Sequence, residues 1–306
     1  MTAIIHPNHH SPDTLLVEPH FDEATGTASY LLMDPKSREC ALVDTVLGYS
    51  AASGTISHTA ADTLIARVRA LDGKLMWILE THVHADHLTA AAYIKDRLGG
   101  RTGIGARITE VQSTFAKLFN LPPDFPTDGS QFDRLFADSE TMRLGALTLT
   151  AMHTPGHTPA CLSYLVAHAD SPDTPRAAFV GDTLFMPDFG TARCDFPGGD
   201  ARQLYWSIRK VLDLPCDTIL YTGHDYQPGG RAARFATTVA TQRALNLHVG
   251  GEATEDSFVA MRTARDAGLA LPALMLPSVQ VNIRAGRLPE AEPNGIAYLK
   301  IPLNAL

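Results

Sequence analysis

The segment His82-Val83-His84-Ala85-Asp86-His87 restricts what this chain can fold into more than any other stretch. It follows directly on Leu75–Leu79, a continuous apolar run that ends at Glu80-Thr81 and reads as a buried strand. In extended backbone, residues two apart share a side, so His82 and His84 converge on one point. Asp86 and His87 fall where a helical pattern, Leu88–Leu98, begins, and face that point from another direction. A strand-to-helix loop carrying several imidazoles and a carboxylate suits a divalent transition metal. Taken alone, the segment also reads as a polar loop in which Asp86 caps the following helix.

Three later sites repeat the device. Thr154-Pro155-Gly156-His157-Thr158 places a histidine in a tight turn after a strand pattern. Val180-Gly181-Asp182-Thr183 places an aspartate at a strand end, and Tyr221-Thr222-Gly223-His224-Asp225 another histidine. Each alone is more often a cap or turn residue. Together, and in this order, they describe one metal site assembled on the ends of several strands.

The surrounding pattern supports that frame. Thr27–Asp34 and Cys40–Asp44 read as neighbouring strands joined by the turn Asp34-Pro35-Lys36-Ser37. Thr59–Leu71 has apolar residues at helical spacing. Leu147–Met152, Cys161–Ala167, Ala177–Val180 and Thr218–Tyr221 read as strands, and Ala201–Leu212 as a helix. Two similar halves of strands followed by helices predict an α/β fold whose sheets are covered. Beyond Tyr226 we expect helices at about Ala233–Leu245 and Glu255–Ala267, then a tail ending Ile-Ala-Tyr-Leu-Lys-Ile-Pro-Leu-Asn-Ala-Leu that packs on the body.

The 306 residues, 45% hydrophobic and 19% charged, are enough for a core that needs no metal to fold. With 25 Lys and Arg against 33 Asp and Glu, the net charge of −8 argues against nucleic acid or an anionic membrane as partner. No apolar run reaches membrane-span length, and the N-terminus lacks a secretory signal pattern. Cys40, Cys161, Cys194 and Cys216 form no CxxC pair. These features predict a soluble cytoplasmic protein. Cys161 reads as a core thiol, His153 as a partly buried structural residue, and His6, His9 and His10 as a loose exposed cluster.

The ordered residues Asp44, His82-x-His84-x-Asp86-His87, His157, Asp182 and His224 resemble the metallo-β-lactamase superfamily. The resemblance covers about residues 14–230. It implies an αββα four-layer sandwich with the metal at the edge where the two sheets meet, followed by a C-terminal helical extension over about 231–306. Gly181–Phe185, Gly190–Phe196 and His224-Asp225-Tyr226 look like the persulfide dioxygenases, neighbours of glyoxalase II. Ser257–Met261 and Leu299–Leu306 resemble the bacterial β-lactamase-hydrolase-like branch, without room for that group's rhodanese module.

In persulfide dioxygenases the matching residues, His82, His157 and Asp182, hold one Fe(II). The resemblance therefore implies oxidation of glutathione persulfide, or a similar small persulfide, by O2 to sulfite and glutathione. His84, Asp86, His87 and His224 would act beside the iron, Arg193 would contact glutathione, and Tyr226 would donate a hydrogen bond to substrate. Arg193 can instead pair with Asp195 or Asp200, and Tyr226 can simply pack. The chain departs from the mitochondrial-type enzymes at Thr191, where they have Cys, and at Cys194, where they have Thr. That family's cysteine role does not carry over.

Residue types alone equally allow two zinc ions: His82, His84 and His157 for one, Asp86, His87 and His224 for the other, bridged by Asp182. That is a glyoxalase II-like thioester hydrolase. A non-catalytic sensor is disfavoured because no expected ligand is missing, and a β-lactamase fits the local motifs less well. A homodimer and a separate sulfurtransferase that hands over substrate are the expected partners.

Overall fold

The computed structural model describes residues 15–305, so the His6, His9 and His10 cluster lies outside the described residues. Strands β1 (Leu16–Asp22), β2 (Thr27–Met33) and β3 (Glu39–Val43) form an antiparallel meander. The β2–β3 turn is held by Asp34, whose carboxylate accepts from Lys36 N and the Ser37 hydroxyl. β2 is buried along its whole length. Alternation sends Ala28, Tyr30 and Leu32 into one apolar cluster and Leu31 and Met33 into another. In the same way, β3 sends Ala41 and Val43 one way and Cys40 and Leu42 the other.

The hairpin β4 (Val46–Ser50) and β5 (Thr55–Ser57) leads to α1 (Thr59–Ala70), β6 (Lys74–Leu79), β7 (Leu88–Thr89) and α2 (Ala91–Leu98). β8 (Arg101–Gly105), α3 (Ile108–Leu118) and β9 (Arg134–Phe136) complete the first half. The first sheet runs β1-β2-β3-β6-β8-β9 and is parallel from β3 onward. β5, β4 and β7 form a small separate sheet.

β10 (Thr141–Leu144), β11 (Leu147–His153), β12 (Leu162–His168) and β13 (Ala177–Gly181) follow, then α4 (Ala201–Leu212), β14 (Ile219–Thr222) and β15 (Ala236–Thr238). They build a second sheet in sequence order, parallel only between β13 and β14. α5 (Val239–Leu245), α6 (Glu255–Asp266) and α7 (Met275–Asn282) close the chain.

Tyr30, Val43, Trp77 and Leu79 of the first sheet pack against Leu149, Tyr164, Phe179 and Tyr221 of the second. α1 and α2 cover the outer face of the first sheet, and α4 with α5 and α6 that of the second. The expected αββα sandwich is what the chain forms. Two buried tyrosines tie the sheets reciprocally: Tyr30 donates to Thr222 O at 2.5 Å, and Tyr164 to Glu80 O at 2.9 Å.

Three expectations need correction. The helix expected from Ala233 begins at Val239, because Ala236–Thr238 pair with β14 as an edge strand and Thr238 then caps α5. The pattern from Leu88 is helical only from Ala91, because Leu88 and Thr89 pair with β4. The N-cap position is Ala90, so Asp86 caps nothing. The tail does not bury most of its apolar residues: Ile296, Tyr298, Ile301 and Leu303 are exposed, while Leu299 packs partly on the body. Among the described residues, no helix is long and apolar enough to cross a membrane.

Candidate metal centre

β6 ends at Leu79, and the chain turns across the edge between the sheets. Leu162 N bonds to Thr81 O at 2.8 Å and Ala28 N to Gly223 O at 2.9 Å, which brings the strand ends of both halves together. The second half needs a very tight turn at Gly156. There φ is +140°, and a Cβ would sit 2.3 Å from Leu204 N in the first turn of α4. That close approach seats His157 beside the first-half histidines: the His82 and His157 rings lie 5.0 Å apart, and His82 and His84 4.1 Å.

His82, His84, His87, His157, Asp182 and His224 are all buried, and Asp86 is half-buried. Hydrogen bonding fixes which ring atom each histidine presents. His157 Nδ1 donates to Arg193 O at 2.7 Å, which leaves Nε2 as the free lone pair. His84 Nε2 lies 3.0 Å from Asp44 Oδ1 and 3.3 Å from Glu80 Oε2, which leaves Nδ1. His87 Nδ1 faces Thr27 Oγ1 at 3.3 Å, and His224 Nδ1 faces the same hydroxyl at 3.4 Å.

What remains is a set of buried polar atoms without hydrogen-bond partners: His82 Nε2, His84 Nδ1, His87 Nε2, His224 Nε2 and Asp182 Oδ1. Buried groups of this kind are normally satisfied, and here they gather at one place. His82, His157 and Asp182 each offer an atom within 4.8 Å of the other two, and so do His84, Asp86 and His224. Asp182 Oδ2 stands 3.9 Å from His82 Nε2 and 3.7 Å from His157 Nε2, too far for hydrogen bonds. These separations suit atoms that share a cation, and nitrogen with carboxylate oxygen suits Fe(II) or Zn(II).

The electrostatics set the histidines apart. Burial, with His84 and His157 nearby, holds His82 well below the usual histidine range, so it is a neutral ligand in waiting. Burial also opposes charge on His84, but the Asp44 and Glu80 carboxylates outweigh it and hold His84 well above that range. Burial works against ionisation of Asp86 too, yet His224 and His87 keep it well below the carboxylate range.

The structure brings His82, His84, Asp86, His87, His157, Asp182 and His224 into one cluster. Arg193 takes one of its two anticipated structural partners: Nε and Nη2 each lie 2.5 Å from the Asp195 carboxylate, and Nη1 donates to Ala270 O at 2.6 Å. Tyr226 stacks on His224 with ring centroids 5.6 Å apart, and Phe185 and Phe189 adjoin it. Burial pushes the Cys161 thiol up to about 12, as a core thiol requires. His153 is half-buried, as expected.

Sequence reasoning missed Glu80. A carboxylate closing an otherwise apolar strand was a readable signal, because it is 2% exposed and bonds the Thr89 hydroxyl. It also missed Arg262 and Asp266, which brace the 190–195 loop from α6, and Asn282 on α7; no local pattern marks these.

The profile of the Metallo-beta-lactamase superfamily matches residues 24–224. A probable metallo-hydrolase of Burkholderia pseudomallei (strain 1710b) is 63% identical over 95% of this chain and 100% of its own length. Glyoxylase B2 of Dictyostelium discoideum is 49% identical, over 95% and 97%. A beta-lactamase hydrolase-like protein of Xylella fastidiosa (strain Temecula1 / ATCC 700964) is 48% identical over 94% of this chain, which spans only 64% of that protein. The mitochondrial persulfide dioxygenase ETHE1 of Homo sapiens is 28% identical over 76% of this chain and 75% of its own. The crystal structure of ETHE1 from Myxococcus xanthus superposes with a TM-score of 0.69 at 27% identity, over 89% of this chain and 100% of that one.

Proposed function

The chain belongs to the metallo-β-lactamase superfamily, and on that premise we propose that it is an Fe(II)-dependent persulfide dioxygenase acting on glutathione persulfide or a similar small persulfide. The observation that carries this reading is the compact set of two histidines and one carboxylate, His82, His157 and Asp182. Similarity to proteins named as persulfide dioxygenases supports it. Fe(II) in such a set supplies a redox change and open coordination positions, neither of which tetrahedral structural zinc offers.

The reaction balances as persulfide plus O2 plus water giving thiol plus sulfite plus two protons. The four electrons that reduce O2 come from the terminal sulfur, the S–S bond breaks, and the inner sulfur leaves as thiol. Arg193 O holds His157 in the tautomer that presents Nε2. Asp44 orients His84 in the same manner, a second layer that fixes ring rotation. His224 Nε2, 3.3 Å from Asp182 Oδ1 and 3.4 Å from Asp86 Oδ2, is placed to hold a proton beside the departing thiolate. Phe185, Phe189 and the 46% exposed Tyr226 form an aromatic flank beside His224, an apolar surface for the persulfide to lie against. A glutathione carboxylate bound at Arg193 exchanges with Asp195, the internal anion already there.

One observation favours a second reading. His84, Asp86 and His224 form a further three-ligand set, and His87 Nε2 is also unpartnered. Two zinc ions and a thioester substrate fit that arrangement, and a relative at 49% identity carries the name Glyoxylase B2. The experiment is oxygen uptake by anaerobically purified, Fe(II)-loaded protein on addition of glutathione persulfide, with sulfite assayed in the same vessel. Equal O2 loss and sulfite gain is the expected result. No O2 loss from a fully loaded sample refutes the dioxygenase, and thioester hydrolysis by the zinc-loaded protein then decides for the hydrolase.

A further inference from the structure

The loop that carries the first-half ligands has no ladder of its own between Leu79 and Leu88. Buried peptide groups in such a loop need partners from elsewhere. Two of them, together with the Thr89 N–H of β7 just beyond, find one side chain, 193 to 198 residues away in the chain. Asn282, the last residue of α7, is 3% exposed. Its Nδ2 donates to His84 O and to His87 O, both at 2.9 Å, and its Oδ1 accepts from Thr89 N at 2.8 Å. Both amide protons and the carbonyl are therefore in use, and the reverse amide orientation would oppose like with like at all three contacts. The network continues inward: the Thr89 hydroxyl donates to Glu80 Oε1 at 2.5 Å, and Glu80 Oε2 lies 3.3 Å from His84 Nε2.

We propose that Asn282 is a positioning residue of the metal centre. One amide on α7 sets the peptide planes of His84 and His87, and through Thr89 and Glu80 the rotation of the His84 ring. The proposal rests on the metal-centre reading above and is indifferent to which of the two reactions runs there.

A matched residue separates positioning from ordinary stability. Gln280 lies two residues earlier on α7, is 2% exposed, and uses its amide equally fully, bonding Leu276 O, Lys300 O and Lys300 N. It holds the C-terminal tail, not the ligand loop.

The test is Co2+ titration of the metal-free full chain against a chromophoric chelator, recording the visible Co2+ bands, for the parent, Asn282→Ala, Asn282→Asp and Gln280→Ala. Asn282→Asp keeps the size and an acceptor for Thr89 N, so it reads the effect even where Asn282→Ala fails to fold. The expected result is Co2+ binding about 10- to 100-fold weaker, with shifted bands, in the Asn282 variants. Gln280→Ala lowers the melting temperature but keeps parental affinity and bands. Parental affinity in the Asn282 variants, or an equal loss in Gln280→Ala, overturns the positioning role. A parent that binds no Co2+ overturns the metal-centre reading, and this proposal with it.

Discussion

Replacing Arg262 by Met strands a charge inside the protein, and the structure fixes how much that costs. Arg262 is 2% exposed on α6 and donates to Asp266 Oδ1 through Nε at 3.0 Å and Nη2 at 2.5 Å. Its Nη1 donates to Thr191 O at 3.0 Å, while Asp266 Oδ2 accepts from Cys194 N at 2.7 Å. The substitution leaves a buried carboxylate with a single donor, and a carbonyl with none. Breaking a buried ion pair in this way costs about 3–5 kcal/mol, a large part of a total stability of about 5–15 kcal/mol. For a chain of this length, that corresponds to a fall in Tm on the order of 5–8 °C.

The double variant Arg262→Met with Asp266→Leu removes the charge and leaves only the Cys194 N–H and the Thr191 carbonyl unpaired, about 1–3 kcal/mol per stranded group at most. Urea unfolding of the metal-free proteins measures all three. The double variant is expected to be more stable than Arg262→Met. If it is no more stable, the cost lies in lost packing and the argument from a stranded charge is wrong.

Stability should also depend on pH through His248. Burial, and then Arg262, hold it down to about 4, so it stays neutral in the fold and accepts from Thr191 N at 3.0 Å. The unfolded chain protonates near 6.5, so this contribution is complete above that pH and is lost as pH falls toward 4. His248→Gln should flatten the parent's Tm profile between pH 7 and 4.5, and parallel profiles would exclude His248 as the source. At the site, Arg193→Ala should raise KM for a glutathione-based persulfide, and Asp195→Asn should lower it by removing the competing anion; an unchanged KM in both takes Arg193 out of substrate binding. His157→Ala and Asp182→Ala should each lose bound metal and turnover while melting as cooperatively as the chelator-treated parent, as seen by calorimetry with metal analysis. Loss of the folded state in either variant would show that the core does depend on these residues.

Where a strand is buried on both faces, its sequence is a run of apolar residues whatever the register, which is why β2, β3 and β13 were legible. α4 begins where expected because Asp200 caps it, accepting from Gln203 N. β4, β5 and β7 were not. They are short, β4 is only partly buried, and β7 exists because Leu88 and Thr89 reach back to Val46 and Leu47. Nothing near Leu88 records that pairing. At the site, the identity of the ligand residues was legible because metal chemistry restricts residue type and turns restrict position. Which nitrogen each ring presents was not, because it is set by Arg193 O, Asp44 and Thr27. Asn282 was the least visible of all, since every group it holds is nearly two hundred residues upstream.

The reciprocal bonds of Tyr30 and Tyr164 mean that neither sheet finishes the edge on which the ligands meet. A chain leaving the ribosome exposes its first sheet well before its second. At that stage His82, His84 and His87 have no opposing wall, and Tyr30 has no Thr222 carbonyl to accept its hydrogen bond. The cage closes once Gly223 and His224 dock against Ala28 and Thr27, and its loop is locked when α7 arrives. A full ligand set therefore exists only where both halves are folded together, and a chain clipped between them would hold the imidazoles of one half alone.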